Sequence, residues 1–101
     1  MKIIERLIQK VDRTAWAKKN AIEKRYEVVE ARLGFPPSRR YRAFIGGSET
    51  NTRVIERDWS SQAAYLNTLE KALVDPEWQA LGAEQAGIVL SNQVELYMIE
   101  S

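Results

Sequence analysis

The chain has 101 residues, of which 45% are apolar and 29% charged, and a formal charge of +1; this is one domain of ordinary globular composition, with no charge bias toward nucleic acid or a membrane surface. It contains no cysteine and no histidine, which excludes disulfides, thiolate nucleophiles and Cys/His metal sites and leaves any acid–base work to Glu, Asp, Tyr, Lys or Arg. The amino-terminal run carries Lys2, Glu5, Arg6 and Lys10, too polar for a signal-peptide core, and no stretch approaches a transmembrane span, so the expected location is the cytoplasm.

Residues 2–11 mix β-branched and charged residues and read as a strand, with Ile3, Glu5, Leu7, Gln9 and Val11 on one face and Ile4, Arg6, Ile8 and Lys10 on the other. A helix follows from about Ala15 to Leu33, capped by Asp12 or Thr14. Ile22, Tyr26, Val29 and Leu33 form its apolar face, and Lys18, Lys19, Glu23, Lys24, Glu27 and Glu30 fit a solvated side. Gly34 suits a left-handed helix end, and Pro36-Pro37 prevent continuation. Tyr41 to Ile45 and Thr52 to Trp59 read as two strands of a hairpin, with Gly46-Gly47 in the turn between them. That glycine pair opens no helix, so it is no phosphate loop.

Ser60 is expected to cap a second helix whose buried stripe is Leu66, Leu69 and Leu73, helped by Ala63 and Tyr65. Asp75-Pro76 interrupts it and restarts a short helix through Trp78 and Leu81. Gln93 to Glu100 reads as the last strand, with Val94, Leu96 and Met98 on one face and Glu95, Tyr97 and Ile99 on the other. The order is βαβ–βαβ over residues 1–101, an α+β domain of ferredoxin-like form with both helices on one face of the sheet.

Helices cover one sheet face, and the other must meet water, a ligand or another chain. Several strands carry apolar residues toward both faces, as in Ile3/Ile4, Leu7/Ile8, Ala43/Phe44, Val54/Ile55 and Met98/Ile99. A solvated antiparallel face normally shows a clean polar row. The economical expectation is a homodimer closed through the open sheet face, with an interior mixed by Glu5, Arg6, Arg42, Arg53, Glu56, Arg57 and Glu95.

Ile4-Glu5-Arg6-Leu7, Arg57-Asp58-Trp59-Ser60, the Ala63/Ala64/Leu66/Leu73 helix and Asp75-Pro76-Glu77-Trp78 together resemble the NIPSNAP family of the dimeric α/β-barrel superfamily. The resemblance implies that two ferredoxin-like protomers close their open sheet faces into a barrel. It implies no single activity, since the superfamily holds cofactor-free monooxygenases, isomerases, cyclases, dehydratases and haem proteins; the lack of histidine argues against a histidine-ligated haem.

The candidate pocket residues are Glu5, Arg42, Arg53, Glu56, Arg57, Trp59 and Tyr97. An arginine among them could hold a carboxylate or enolate, and Glu56 could serve as base in a water-poor interior; the plainer reading is a salt-bridge set between protomers. Trp59 and Tyr97 could stack on a flat ligand, or simply pack in a core or interface, and Trp16 and Trp78 read as helix packing. Ser38-Arg39-Arg40-Tyr41-Arg42 invites a phosphate or nucleic-acid reading but lacks the aromatic strand signature of RNA-binding domains, and reads as a solvated loop-to-strand edge. Two functions stand at this point: a protein that binds or converts a small anionic or aromatic molecule in the barrel interior without metal or cofactor, and a non-catalytic dimerisation domain whose strand charges are structural. A cavity of roughly 300 Å³ or more with convergent polar groups favours the first.

Overall fold

A computed structural model describes residues 1–44 and 50–100. Its elements are β1 (Ile3–Val11), α1 (Trp16–Leu33), β2 (Ser38–Arg42), β3 (Thr52–Trp59), α2 (Gln62–Leu73), α3 (Pro76–Gln85) and β4 (Val89–Met98). The sheet order is β2-β3-β1-β4, antiparallel throughout, which is the ferredoxin-like arrangement. Glu5 stands opposite Arg57 and Leu7 opposite Ile55 across the two central strands.

The two-residue period divides the sheet. Odd-numbered residues of β1 and β3, even-numbered residues of β2, and even-numbered residues of β4 from Asn92 on, with Val89 before the register shift, face the helices: Ile3, Val11, Ile55 and Trp59 are buried there, and so are Glu5, Gln9 and Arg57. The apolar packing forms two separate clusters. One gathers Val11, Trp16, Ile22, Val29, Leu81 and Ile88, and the other gathers Ile3, Trp59 and Tyr65 with Phe35, Ala64 and Leu69 against them.

Several local expectations need correction. Asp12 does not cap α1; its carboxylate closes its own turn, accepting from the Thr14 amide at 2.8 Å and hydroxyl at 2.7 Å, and α1 starts after Ala15 without a side-chain cap. Ser61 rather than Ser60 caps α2, accepting from the Ala64 amide at 3.0 Å. The inward stripe of α2 is Tyr65, Leu69 and Ala72, while Leu66 and Leu73 are exposed. Tyr65 decides this rotation by docking its ring on Trp59, centroids 5.4 Å apart.

The supposedly solvated charges Lys19 and Glu23 are in fact buried, Lys19 to 1% exposure, because Arg40 and Arg53 on the strands meet Glu23, and Glu23 with Gln85 on α3 meets Lys19. β2 spans Ser38–Arg42 rather than starting at Tyr41, since its pairing runs from Ser38 opposite Arg57 to Arg42 opposite Arg53. The expected end at Ile45 and the Gly46-Gly47 turn lie outside the described residues. β4 begins at Val89, four residues before the expected start, because β1 offers partners along its whole length and a register irregularity beside Lys10/Val11 admits Val89 opposite Val11. Asp75 does cap α3 as expected, accepting from the Trp78 amide at 3.0 Å with Pro76 following.

Candidate functional site

Between the helices and the sheet lies a cavity of about 430 Å³. Its position follows from the split of the apolar packing into two clusters with charged and amide side chains between them.

One wall is aromatic. Tyr26 meets Trp78 edge-on, Trp78 stacks on Phe35, Phe35 meets Trp59 and Trp59 meets Tyr65, with centroids 5.1–5.6 Å apart. The end of α1 places the middle ring. Gly34 takes φ 96°, its amide reaches the Ala31 carbonyl, and the Phe35 amide reaches the Glu30 carbonyl at 2.9 Å. This is a Schellman ending, which turns the chain back and lays Phe35 beside the helix it has just left. Burial pushes the Tyr26 phenol up to about 12.

The floor is polar and comes from β1, β3 and α1. The Arg57 guanidinium lies between two carboxylates, 2.6 Å from Glu30 and 3.6 Å from Glu5. Glu5 also accepts from the Trp59 indole at 3.0 Å. Gln9 is buried with its carboxamide oxygen unpartnered, and the Arg57 Nε has no hydrogen-bond partner either. Toward β2, Glu23 receives Lys19 at 3.2 Å, Arg40 at 3.2 Å and Arg53 at 3.0 Å, and Lys19 also donates to Gln85 at 2.7 Å. Burial moves the Lys19 ammonium below its usual range and the Glu30 carboxyl above its own, the latter against the pull of Arg57 and helped by Glu5 and Glu27.

The sequence-derived candidates divide between the two sheet faces. Glu5, Arg57 and Trp59 line the cavity. Arg53 is on the same face beside it, held by Glu23 and by Asn20 at 2.6 Å. Arg42 lies further out over the Trp16 ring, 3.9 Å from its centroid. Glu56 and Tyr97 lie on the open face. There Arg6 pairs with Glu56 at 2.7 Å, Arg39 bridges Glu56 and Asp58, and the Tyr97 hydroxyl donates to Glu95 at 2.6 Å. The cavity is thus within a single chain, on the helix side of the sheet, and not on the face expected to form a barrel interior.

Gln9, Lys19, Glu23, Tyr26, Glu30, Phe35, Tyr65 and Trp78 join the site without being among the sequence-derived candidates. A signal existed for some of them. Lys19, Glu23 and Glu30 run at helical spacing beside the apolar stripe of α1, and Arg53 and Arg57 sit at the strand parity of buried Ile55 and Trp59. Among the described residues, no group of three or more His, Cys, Asp or Glu side chains could hold a metal ion, and no helix is long and apolar enough to cross a membrane.

No family model matches the chain, and no curated protein matches it in sequence. Solved structures do match it in shape. A NIPSNAP family protein from Agrobacterium tumefaciens superposes with TM-score 0.83 at 14% identity, over 98% of this chain and 86% of that one. A NIPSNAP domain protein from Burkholderia xenovorans gives TM-score 0.83 at 12% identity, over 98% and 95%. SnoaB from Streptomyces nogalater, a cofactor-independent oxygenase, gives 0.74 at 16% identity, over 99% and 94%. The protein is therefore a ferredoxin-like α+β domain. Within that class its fold is NIPSNAP-like, as the resemblance in its sequence implied.

Proposed function

We propose that each protomer binds a small, ring-containing organic molecule in the cavity between the sheet and the helices. The observation that carries this reading is the pairing of an aromatic wall with buried polar atoms left unpartnered. The Gln9 carboxamide oxygen lacks a donor and the Arg57 Nε lacks an acceptor. Each such unmet group costs about 1–3 kcal/mol when buried, and a ligand carrying a hydroxyl or amide donor and a carbonyl or carboxylate acceptor meets both. The volume of about 430 Å³ falls in the range of small-molecule sites. SnoaB supports the reading to the extent that the same fold serves an oxygenase needing no cofactor; binding, rather than a particular reaction, is what the residues of this chain support.

Open-face charges take a different role in this proposal. Arg6, Glu56, Arg39 and Asp58 already pair with one another, and Ile4, Ile8 and Val54 stand among them. They fit a homodimer interface of two sheets, and Glu56 and Tyr97 belong to that interface rather than to a ligand site.

Gly82 offers the test of the cavity. It lines the cavity on α3, and a Cβ built there meets only the Tyr26 hydroxyl at 3.8 Å, an ordinary contact. Gly82→Ala is expected to stabilise the protein by about 0.5–1 kcal/mol as a helix-interior glycine replacement. Gly82→Leu is expected to stay folded and fill the cavity. Ligand-observed NMR with a panel of bicyclic aromatic fragments should find binders to the wild type and to Gly82→Ala that Gly82→Leu no longer binds. Fragments that bind all three equally would place the site elsewhere.

A further inference from the structure

Around Arg57 the cavity floor sets two carboxylates against one guanidinium. Arg57 on β3 meets Glu5 on β1 and Glu30 on α1, and both glutamates line the cavity. Glu5 has a second donor in the Trp59 indole; Glu30 has Arg57 as its ion-pair partner at 2.6 Å. Glu30 also lies in the last turn of α1, where the carbonyl end of the helix opposes added negative charge. Arg57 keeps one buried N–H, at Nε, without an acceptor. The guanidinium is therefore one acceptor short, although two carboxylates stand against it.

We propose that the ligand is an aromatic acid, that its anionic group pairs with Arg57, and that Glu30 takes up a proton when the acid binds. The inference rests on the ligand-binding reading of the cavity and names the ligand class for it. Charge balance requires the coupling. An anion placed beside Glu5, Glu30 and Arg57 would bring three negative groups onto one positive group, and in a water-poor site that arrangement is relieved by protonating the carboxylate with the weakest support. Glu30 is that carboxylate. Burial already holds it above its usual range, Glu5 and Glu27 press in the same direction, and Arg57 opposes them. The other charged and titratable groups lining the cavity are Lys19, Glu23, Tyr26 and Glu27 on α1, Arg40 on β2 and Tyr65 on α2, with Glu23 and Glu27 both paired to Arg40. The Lys19 ammonium is committed to Glu23 and Gln85, and the Tyr26 phenol titrates far above neutrality. The proton comes from solvent and is bound at a Glu30 carboxylate oxygen; no covalent bond to the ligand forms or breaks.

Calorimetric titration with 2-naphthoate and with its uncharged counterpart 2-naphthamide tests this. Each is run against the wild-type protein and Glu30→Gln, in two buffers of different ionisation enthalpy, across the pH range in which free Glu30 is ionised. With the wild type, naphthoate binding is expected to take up close to one proton per site, and its affinity to fall about tenfold per pH unit. Naphthamide should take up none. Glu30→Gln, which keeps size and shape, should bind naphthoate with no proton uptake and no such pH slope. Naphthoate binding to the wild type without proton uptake, or with an uptake that survives Glu30→Gln, overturns the inference. Binding of naphthamide alone to both proteins also overturns it while leaving the cavity reading standing. Binding of neither compound to either protein removes the ligand-binding reading, and this inference with it.

Discussion

At the scale of single residues, charges placed on the two sheet faces differ in what they are worth. The open-face ladder of Arg6, Glu56, Arg39 and Asp58 is partly exposed, and such pairs contribute about 0.2–1 kcal/mol each in a protomer. Arg57 with Glu5 and Glu30 is largely withdrawn from water, and removing one member of a buried pair costs about 3–5 kcal/mol. Glu30 adds a pH dependence with a definite sign. Its folded-state pKa is raised above the ordinary value of 4.5, so the native state binds the proton more tightly than the unfolded chain. The stability this contributes is fully present below about pH 4.5 and is lost as pH rises through the folded pKa. Glu30→Gln should gain on the wild type over that window, measured as the difference between urea midpoints at successive pH values. A difference that stays flat with pH would mean that Glu30 ionises in the fold as it does unfolded. Asp58, Asp75 and Glu84 are shifted downward by their arginine partners and the Trp78 amide. Their effects fall at lower pH, have the opposite sign and cancel in the difference.

At the scale of elements, the end of α1 links local structure to the site. Gly34 at φ 96° is a conformation in which a Cβ is strained, although nothing lies within 4 Å to clash with it. The same turn carries Phe35 into the aromatic wall and leaves Glu30 on the last turn beside Arg57. Gly34→Ala is expected to cost about 1–2 kcal/mol of stability, from backbone strain rather than lost packing. It should also weaken ligand binding beyond any change shared by a stability-matched surface variant. Thermal unfolding and the same fragment titrations measure the two effects; an unchanged melting temperature would mean that the helix end relaxes to another turn. The restart at Asp75-Pro76 has the same double role, since the residue it caps onto, Trp78, stacks against Phe35. Asp-Pro-Glu-Trp therefore both restarts a helix and builds the cavity wall.

At the scale of the whole molecule, the chain is a slab of 38 × 36 × 17 Å, a single helix layer on a single sheet. Among the described residues, nothing covers one face of that sheet. Ile8, opposite Val54 and Gln93 near the middle of that face, is the position at which a charge is tolerated by a protomer and resisted by a sheet-on-sheet dimer. Ile8→Glu is expected to turn a dimer into a folded monomer, because burying an unpaired carboxylate costs several kcal/mol. Light scattering of both proteins, with circular dichroism as the folding check, reads the result. A mutant that remains dimeric places the interface on another surface, and a monomeric wild type removes the barrel.

How much of the fold and the site is legible in the sequence depends on whether a feature is local or relational. Element order, the Gly34 helix end and the Asp75-Pro76 restart follow from short-range chemistry, and the chain states them directly: left-handed glycine, proline at a first turn, period two against period 3.6. Strand parity by itself also separates Glu5 from Arg6. What parity alone does not reveal is which of two mixed faces the helices cover, since both carry apolar and charged residues. That choice was made by packing, through Tyr65 on Trp59, and by Glu23 and Glu30 finding Arg53 and Arg57 across the gap. A charge on a helix reads as solvated until its partner on a distant strand is brought to it. For this protein the sequence determined the elements and their order; the tertiary structure decided that the polar residues of the sheet divide into two groups, one around a cavity between sheet and helices and one on a face that the described residues leave uncovered.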